Sequence, residues 1–518
     1  MKSFAAMALA ALAVVSANAE STLMMTKKGG YTGGEEEPFE IVVAKPSASM
    51  LFVVSTTGLS VFEIGDDLSP TLLGSYTGMM DFGSPTSVSY SEKYDELAIS
   101  AASPDALTKG RVYVISSVED WISCDLCEDY MTYMTAGYLP DMVTFTPDGK
   151  YILTANEGEP ADYDLPENDP PGTVSIFDRT DDWSHCEVDF EKFDQPYRTN
   201  RMKSLGVRVT GVEHTTFSMD MEPEYIAVSS NSKRAFVTLQ ENNAVALIQI
   251  DKCRVKRVLP LGYKMWGDYG LDTSDKDGEI NLDTYPMIRG MYMPDAIATF
   301  RVGDTRYFIT ANEGDSREYE DINVEYVDEI RVADLAAEMN MTDSIYDDEV
   351  LGRLKVTTAF PFDGNMDELY AFGASRSISI YTSRGEMVWD SGDFMEQFIA
   401  DEANGWTALF NSQGSLDSFD ERSDDKGMEP EGLAIAEIDD RIFVFVALER
   451  IGGFMCWDVS DPEAPVFQSY VNTYEEDRNP ESAVVIPAEY SPSGKPLLVG
   501  AYEFSNTLAV FEITLEDM

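Results

Sequence analysis

Histidine is nearly absent from this sequence: there are two in 518 residues, His185 and His214. That excludes any mechanism or metal centre built on several imidazoles. Basic side chains are also scarce, 37 Lys and Arg against 93 Asp and Glu, for a formal charge of −56. A field of that sign repels phosphate backbones and anionic lipid, and no local basic patch offsets it, so nucleic acid and membrane surfaces are excluded as partners. Past the N-terminus no stretch offers about 18 uninterrupted apolar residues, and the chain stops at Glu516-Asp517-Met518, so neither a membrane span nor a lipid-anchor signal is expected. No GxSxG elbow, P-loop or HExxH occurs. Helical periodicity is confined to a short helix expected around residues 330–339.

What remains is a globular composition, 44% hydrophobic, with an acidic surface. Lys2, an apolar run over residues 4–15 and Ala17-Asn18-Ala19 predict a signal peptide over residues 1–19, cut before Glu20. The expected product is secreted, extracellular or cell-surface associated. Asn340-Met341-Thr342 is a glycosylation sequon for that compartment. Residues 20–37 read as a flexible N-terminal segment and 38–518 as a single domain. In an oxidising setting the five cysteines admit two readings. Cys124 and Cys127 with His185 and Cys186 could form a Cys₃His zinc site, or Cys124, Cys127, Cys186 and Cys253 could form one or two disulfides; Cys456 reads as a buried thiol.

Short β-branched and aromatic runs separated by Gly, Asn or Ser turns recur at 51–64, 234–250, 441–459 and 496–513, each the pattern of a hairpin. A second signature, a proline leading into a strand, occurs at Pro38, Pro85, Pro140, Pro223, Pro294, Pro430 and Pro480. The start-to-start spacings run from 47 to 136 residues, the shortest fitting one four-stranded blade and the longest implying insertions. The predicted fold is all-β, a seven-bladed β-propeller with long acidic loop insertions. An eighth blade results if residues 364–392 stand alone; the preferred reading makes them the outer strands of the fifth.

Five of the seven prolines are followed directly by an acid: Asp141, Glu224, Asp295, Glu431 and Glu481. In each of those units a second glutamate follows where the second strand meets its hairpin: Glu157, Glu241, Glu313, Glu449 and Glu503. Adjacent strands of a blade run in opposite directions, so both sets fall on one face, the post-proline acids nearest the axis. Crowded carboxylates repel unless a cation neutralises them, and oxygen-only ligands point to calcium, with magnesium and zinc ranked behind it. The alternative is turn acids that cap amides or pair with arginine. TANEGE at 154–159 and TANEGD at 310–315 add Asn156, Asn312 and Asp315 to the candidate metal ligands. The run DTSDKDGEINLD from Asp272 hints at calcium but departs from the EF-hand register. Arg317, Arg376, Arg422, Lys426 and Arg450 are the cations placed to clamp a phosphate, or to pair with neighbouring acids.

TANEGD-SRE, EPEYIAVS with VTLQENNA, ERSDDKGMEPEGLA, VALERIGGFMCWDV and SPSGKPLLV together resemble the choice-of-anchor I family over about residues 35–515. That family includes mesenchyme-specific cell-surface glycoproteins associated with biomineralisation and atypical alkaline phosphatases. The resemblance implies a secreted or surface propeller, calcium-dependent where it is an enzyme, acting on phosphate monoesters. Asn312, Glu313, Asp315 and Arg317 match one family motif, and Glu429, Glu431, Glu449 and Arg450 another. The last blade departs from the pattern, with NPES around Glu481 and Tyr502 where Asn commonly precedes the glutamate, which weakens a ligand role there. The function expected first is a calcium-dependent alkaline phosphatase in which cations activate water and Arg317, Arg376 and Arg450 stabilise the phosphoryl charge. The alternative is a non-catalytic calcium-binding surface glycoprotein of biomineralisation type; a protein-interaction propeller is the third reading.

Overall fold

The computed structural model describes residues 21–34, 38–319 and 326–517. Seven four-stranded antiparallel sheets are present among them. Their innermost strands are Val42–Lys45, Ser84–Ser91, Pro140–Phe145, Pro223–Val228, Ile297–Val302, Pro430–Ile438 and Pro480–Ile486, one for each proline of the repeat. Each inner strand contacts the next, and Pro480–Ile486 returns to touch Val42–Lys45, so the sheets close into a seven-bladed propeller. The apolar residues of each strand interleave between neighbouring blades. Phe52 and Val54 of the first blade, for example, pack with Val88, Leu97 and Ile99 of the second.

No eighth blade forms from residues 364–392. Ser377–Thr382 and Met387–Asp390 are the outer strands of the fifth blade, as preferred above, while Leu369–Ala371 joins an accessory five-stranded sheet with Tyr263–Met265, Ile288–Met291, Lys355–Thr357 and Glu329–Arg331. The short helix is Val332–Glu338, and the sequon residue Asn340 lies exposed just beyond it. No helix of the described residues is long and apolar enough to cross a membrane.

Two expectations are corrected. The segment read as flexible, residues 20–37, contains the strand Ser21–Thr32, which pairs with Thr507–Asp517 as the outermost strand of the seventh blade. Its alternation buries Leu23 and Met25 against Phe443, Phe511 and Ile513, and Lys27 Nζ lies 2.7 Å from Glu476 and 2.5 Å from Asp477. The expected signal peptide, residues 1–19, lies outside the described residues. The Cys₃His zinc site does not form, because Cys124 is bonded to Cys127 and Cys186 to Cys253. The second bond ties the third blade to the fourth, and Cys456 is a buried free thiol.

If the N-terminal strand closes the ring, Leu23→Ala lowers stability by about 2–4 kcal/mol. The neighbouring Met24→Ala, on the exposed side, changes it by less than about 0.5 kcal/mol. Urea unfolding of the two variants checks this.

Candidate metal centre

The proline repeat builds the site through its backbone. A ladder irregularity follows the proline at Pro140, Pro223, Pro430 and Pro480, and it takes the next residue out of register. Such a bulge re-aims a side chain, and the re-aimed side chains are Asp141, Glu224, Glu431 and Glu481. The residue before the proline is left-handed in four units: Leu139 (φ 44°), Met293 (38°), Glu429 (54°) and Asn479 (57°). Each such non-glycine residue stores about 1–3 kcal/mol of strain. Their carbonyls accept from the hairpin that carries the second acid: Leu139 from Glu157 N–H, Glu429 from Glu449 N–H and Asn479 from Glu503 N–H, all at 2.9 Å, and Met293 from Gly314 N–H at 3.0 Å. One turn thus fixes both acids of a unit.

Eight of the ten acids line two cavities, and Glu313 and Glu449 line neither. An axial cavity of about 420 Å³ is lined by Asp141, Asp295, Glu431, Glu481 and Glu503, joined by Glu40, and among the described residues no Lys, Arg or His lines it. A neighbouring cavity of about 320 Å³ holds Glu157, Glu224 and Glu241 with Glu159, Glu222 and Arg317. Glu224 therefore sits one cavity away from the other post-proline acids. Burial is the largest cause of the protonation shifts, and repulsion among the acids adds to it. Glu40 is pushed up to about 8, Glu481 to about 7, and Asp295, Glu431 and Glu224 well above the usual carboxylate range. Burial raises Asp141 to about 6.

Two carboxylate triads have oxygens within 4.8 Å of one another, Glu313/Glu429/Glu449 and Glu431/Glu449/Glu481. The first already holds cations. Lys426 Nζ lies 2.5 Å from Glu313, 2.8 Å from Asp315 and 3.3 Å from Glu429; Arg422 pairs with Glu429, and Arg450 reaches Glu429 at 3.0 Å and Glu449 at 2.9 Å. Against the cost of burial, Lys426, Arg422 and Arg450 hold the Glu429 carboxyl down to about 2. Among the described residues the second triad has no such partner at Glu431 or Glu481, and Glu431 Oε2 is buried without a hydrogen bond. Three clustered carboxylates, one with an unmet oxygen, fit a hard divalent cation.

Other expected ligands are placed elsewhere. Asn156 is buried inside its blade, donating to Thr173 and Ser175 at 3.1 Å and accepting from Thr154 at 2.9 Å. Asn312 repeats this with Ser377, Ser379 and Thr310 at 3.1, 2.8 and 2.8 Å. Both are cross-strand ties, which corrects their assignment as metal ligands. Gly314 (φ 96°) turns the chain straight after Glu313, where a Cβ would stand 2.6 Å from Gly373 N. Arg376 uses all five N–H groups on Gly373, Asp272, Glu396, Ser423 and Asp425, so no donor is left for a phosphate. Arg317 is buried with Nε 2.8 Å from Glu222 and Nη2 2.6 Å from the Asp220 carbonyl, facing a wall of acids that repels phosphate. Arg450 alone among the three stands at a triad, with a 30% exposed side chain. Glu40 was not among the expected ligands, although it sits two residues after Pro38, and Lys426 and Glu429, both in the ERSDDKGMEPEG run, were not expected as metal ligands either.

The fold and this site define an acidic seven-bladed propeller whose axis is lined with carboxylates. The chain belongs to the choice-of-anchor I domain family, whose model matches residues 40–462. It is 28% identical to the mesenchyme-specific cell surface glycoprotein of Strongylocentrotus purpuratus over 59% of this chain and 44% of that protein, so it spans under half that relative's length. It is 30% identical to gigasin-3a of Magallana gigas over 33% of this chain and 67% of that protein. Among solved structures, Kuenenia stuttgartiensis hydrazine synthase superposes with a TM-score of 0.46 at 12% identity, covering 93% of this chain and 97% of that one. The Cps50 (Swd1) β-propeller domain of Myceliophteria thermophila gives 0.45 at 7%, covering 95% and 100%.

Two outcomes are expected. Asn312→Ala costs about 1–3 kcal/mol of stability by orphaning buried hydroxyls, while calcium affinity is unchanged; a lost calcium site with unchanged stability would restore the ligand assignment. Folded Asp141, Glu481 and Glu40 keep protons that the unfolded chain releases in the usual carboxylate range. In chelator, their contribution to stability is therefore fully present below that range and is lost as pH rises through about 6, 7 and 8. Unfolding midpoints that stay level or climb across this window contradict the assignment.

Proposed function

We propose that this protein acts outside the cell or at its surface as a non-catalytic calcium-binding propeller, taking the ion at Glu431, Glu449 and Glu481. The observation that carries this reading is the second triad, whose Glu431 and Glu481 have no basic partner among the described residues while the adjoining triad is filled by Lys426, Arg422 and Arg450. Calcium is favoured because a hard cation accepts several carboxylates in an irregular site, whereas zinc prefers nitrogen and sulfur ligands. The sea-urchin relative's description as a cell surface glycoprotein, the N-terminal export pattern, the exposed sequon and the two disulfides support the location.

Phosphate-monoester hydrolysis is the weaker reading. It needs guanidinium donors at the metal, and of the three arginines only Arg450 is there, with Nε and Nη1 already on Glu429 and Glu449.

Calorimetric titration of the metal-free protein with calcium tests the proposal. Glu431→Gln with Glu481→Gln is expected to weaken binding at the axis by tenfold or more, about 1.4 kcal/mol. Unchanged binding in the folded double variant refutes the site. Turnover of a generic phosphate monoester that vanishes with chelator and with Arg450→Ala would instead establish the phosphatase.

A further inference from the structure

A further cavity, of about 340 Å³, lies between the outer strands of the first and second blades. The outer strand of the first blade, Pro70–Tyr76, brings Tyr76 to it, and the connection to the second blade brings Phe82. The two outer strands of the second blade, Lys109–Ser116 and Met131–Tyr138, bring Arg111 and Tyr133. Tyr113 and Tyr133 stand opposite one another in that pairing, with ring centroids 5.9 Å apart, and Arg111, two residues before Tyr113, falls on the same face. None of the residues lining this cavity lines either of the two acidic ones.

The decisive feature is the guanidinium. Arg111 Cζ stands 3.9 Å from the centroid of the Phe82 ring and 4.2 Å from that of Tyr133, so two aromatic rings hold it in place. Its one side-chain hydrogen bond among the described residues runs from Nη1 to Tyr113 Oη at 3.4 Å, which leaves most of its N–H groups unpartnered. Asp81 and Glu128 line the same cavity, yet among the described residues no carboxylate forms an ion pair with Arg111. In a chain with 93 acidic and 37 basic side chains, a fixed guanidinium that none of those acids neutralises is the complement of an anion from outside.

We infer that this cavity binds a uronate residue of an acidic polysaccharide, with Arg111 taking the carboxylate and Tyr133 the sugar ring. A planar guanidinium matches a carboxylate through two parallel N–H···O bonds. Tyr133, 55% exposed, offers an apolar ring face on which the C–H side of a pyranose can lie. Asp81 and Glu128 are exposed acceptors for the hydroxyls that a sugar carries in number and a peptide does not. The same two acids limit the charge of the ligand: they leave room for one anionic group at Arg111 and repel a densely sulfated chain. The volume is that of a small-ligand pocket. The site needs no metal and stands independently of the axial one.

Saturation-transfer NMR on the full chain in chelator, with D-glucuronate, D-glucose and N-acetylphenylalaninate as probes, tests this. Glucuronate is expected to receive saturation, and glucose, which lacks the carboxylate, to bind about tenfold or more weakly. Arg111→Met keeps the apolar stem and removes the charge, and is expected to weaken glucuronate binding by a similar factor, while Glu431→Gln with Glu481→Gln leaves it unchanged. No transfer to glucuronate, or equal transfer with wild type and Arg111→Met, overturns the inference. Transfer to N-acetylphenylalaninate without transfer to glucuronate also overturns it, in favour of a peptide ligand. If Arg111→Met does not fold, Tyr133→Ala decides, because that side chain is already more than half exposed: weakened glucuronate binding supports the site, and unchanged binding removes it.

Discussion

Repulsion among buried carboxylates is the constraint on which the rest of this protein turns. A propeller places the start of every inner strand beside the same axis, so a residue type repeated there is concentrated. Here the repeated type is acidic, and the field is compounded by a chain with far more acids than bases. The acids cannot relax apart, because strained left-handed residues ahead of the prolines and the ladder irregularities behind them fix where each points. The fold can hold such an arrangement only with protons, built-in cations or bound metal, and its different regions use different answers.

Lys426 is the built-in answer. Its ammonium sits among Glu313, Asp315 and Glu429, and with Arg422 and Arg450 it makes Glu429 an ordinary anion despite full burial. A few ångströms on, Glu431 and Glu481 have no such help, and Glu449 belongs to both groups. The contrast between neighbouring triads is more informative than the number of acids, because it separates carboxylates whose charge the protein has settled from those it has left open. Off the axis, Arg376 pairs with Glu396 and only partly offsets the burial that pushes the Asp272 carboxyl up to about 7.

Much of the fold was legible in the sequence for a simple reason: each blade begins with a proline that lacks an N–H and so marks the start of an inner strand, and turn chemistry separates the hairpins. The acids after those prolines were legible with it. The asparagines of the two TANEG hairpins misled because the same amide that can bind a cation can also tie buried hydroxyls across a blade, and only the strand pairing distinguishes them. Arg376 and Arg317 misled likewise: their partners come from Glu396, Asp425, Glu222 and Asp220, whose approach depends on loop paths rather than spacing. The strand Ser21–Thr32 was missed because its Lys-Lys-Gly-Gly run reads as a linker and its partner lies almost five hundred residues away.

That last pairing also sets an order of events. The strand Ser21–Thr32 has no partner until residues 507–517 exist, so its edge stays unpaired through almost all of synthesis. The seventh blade is therefore the last to be completed, and its two outermost strands lie side by side on one rim. Ser21 and Asp517 therefore sit opposite each other at the outer edge of that blade, away from the axis.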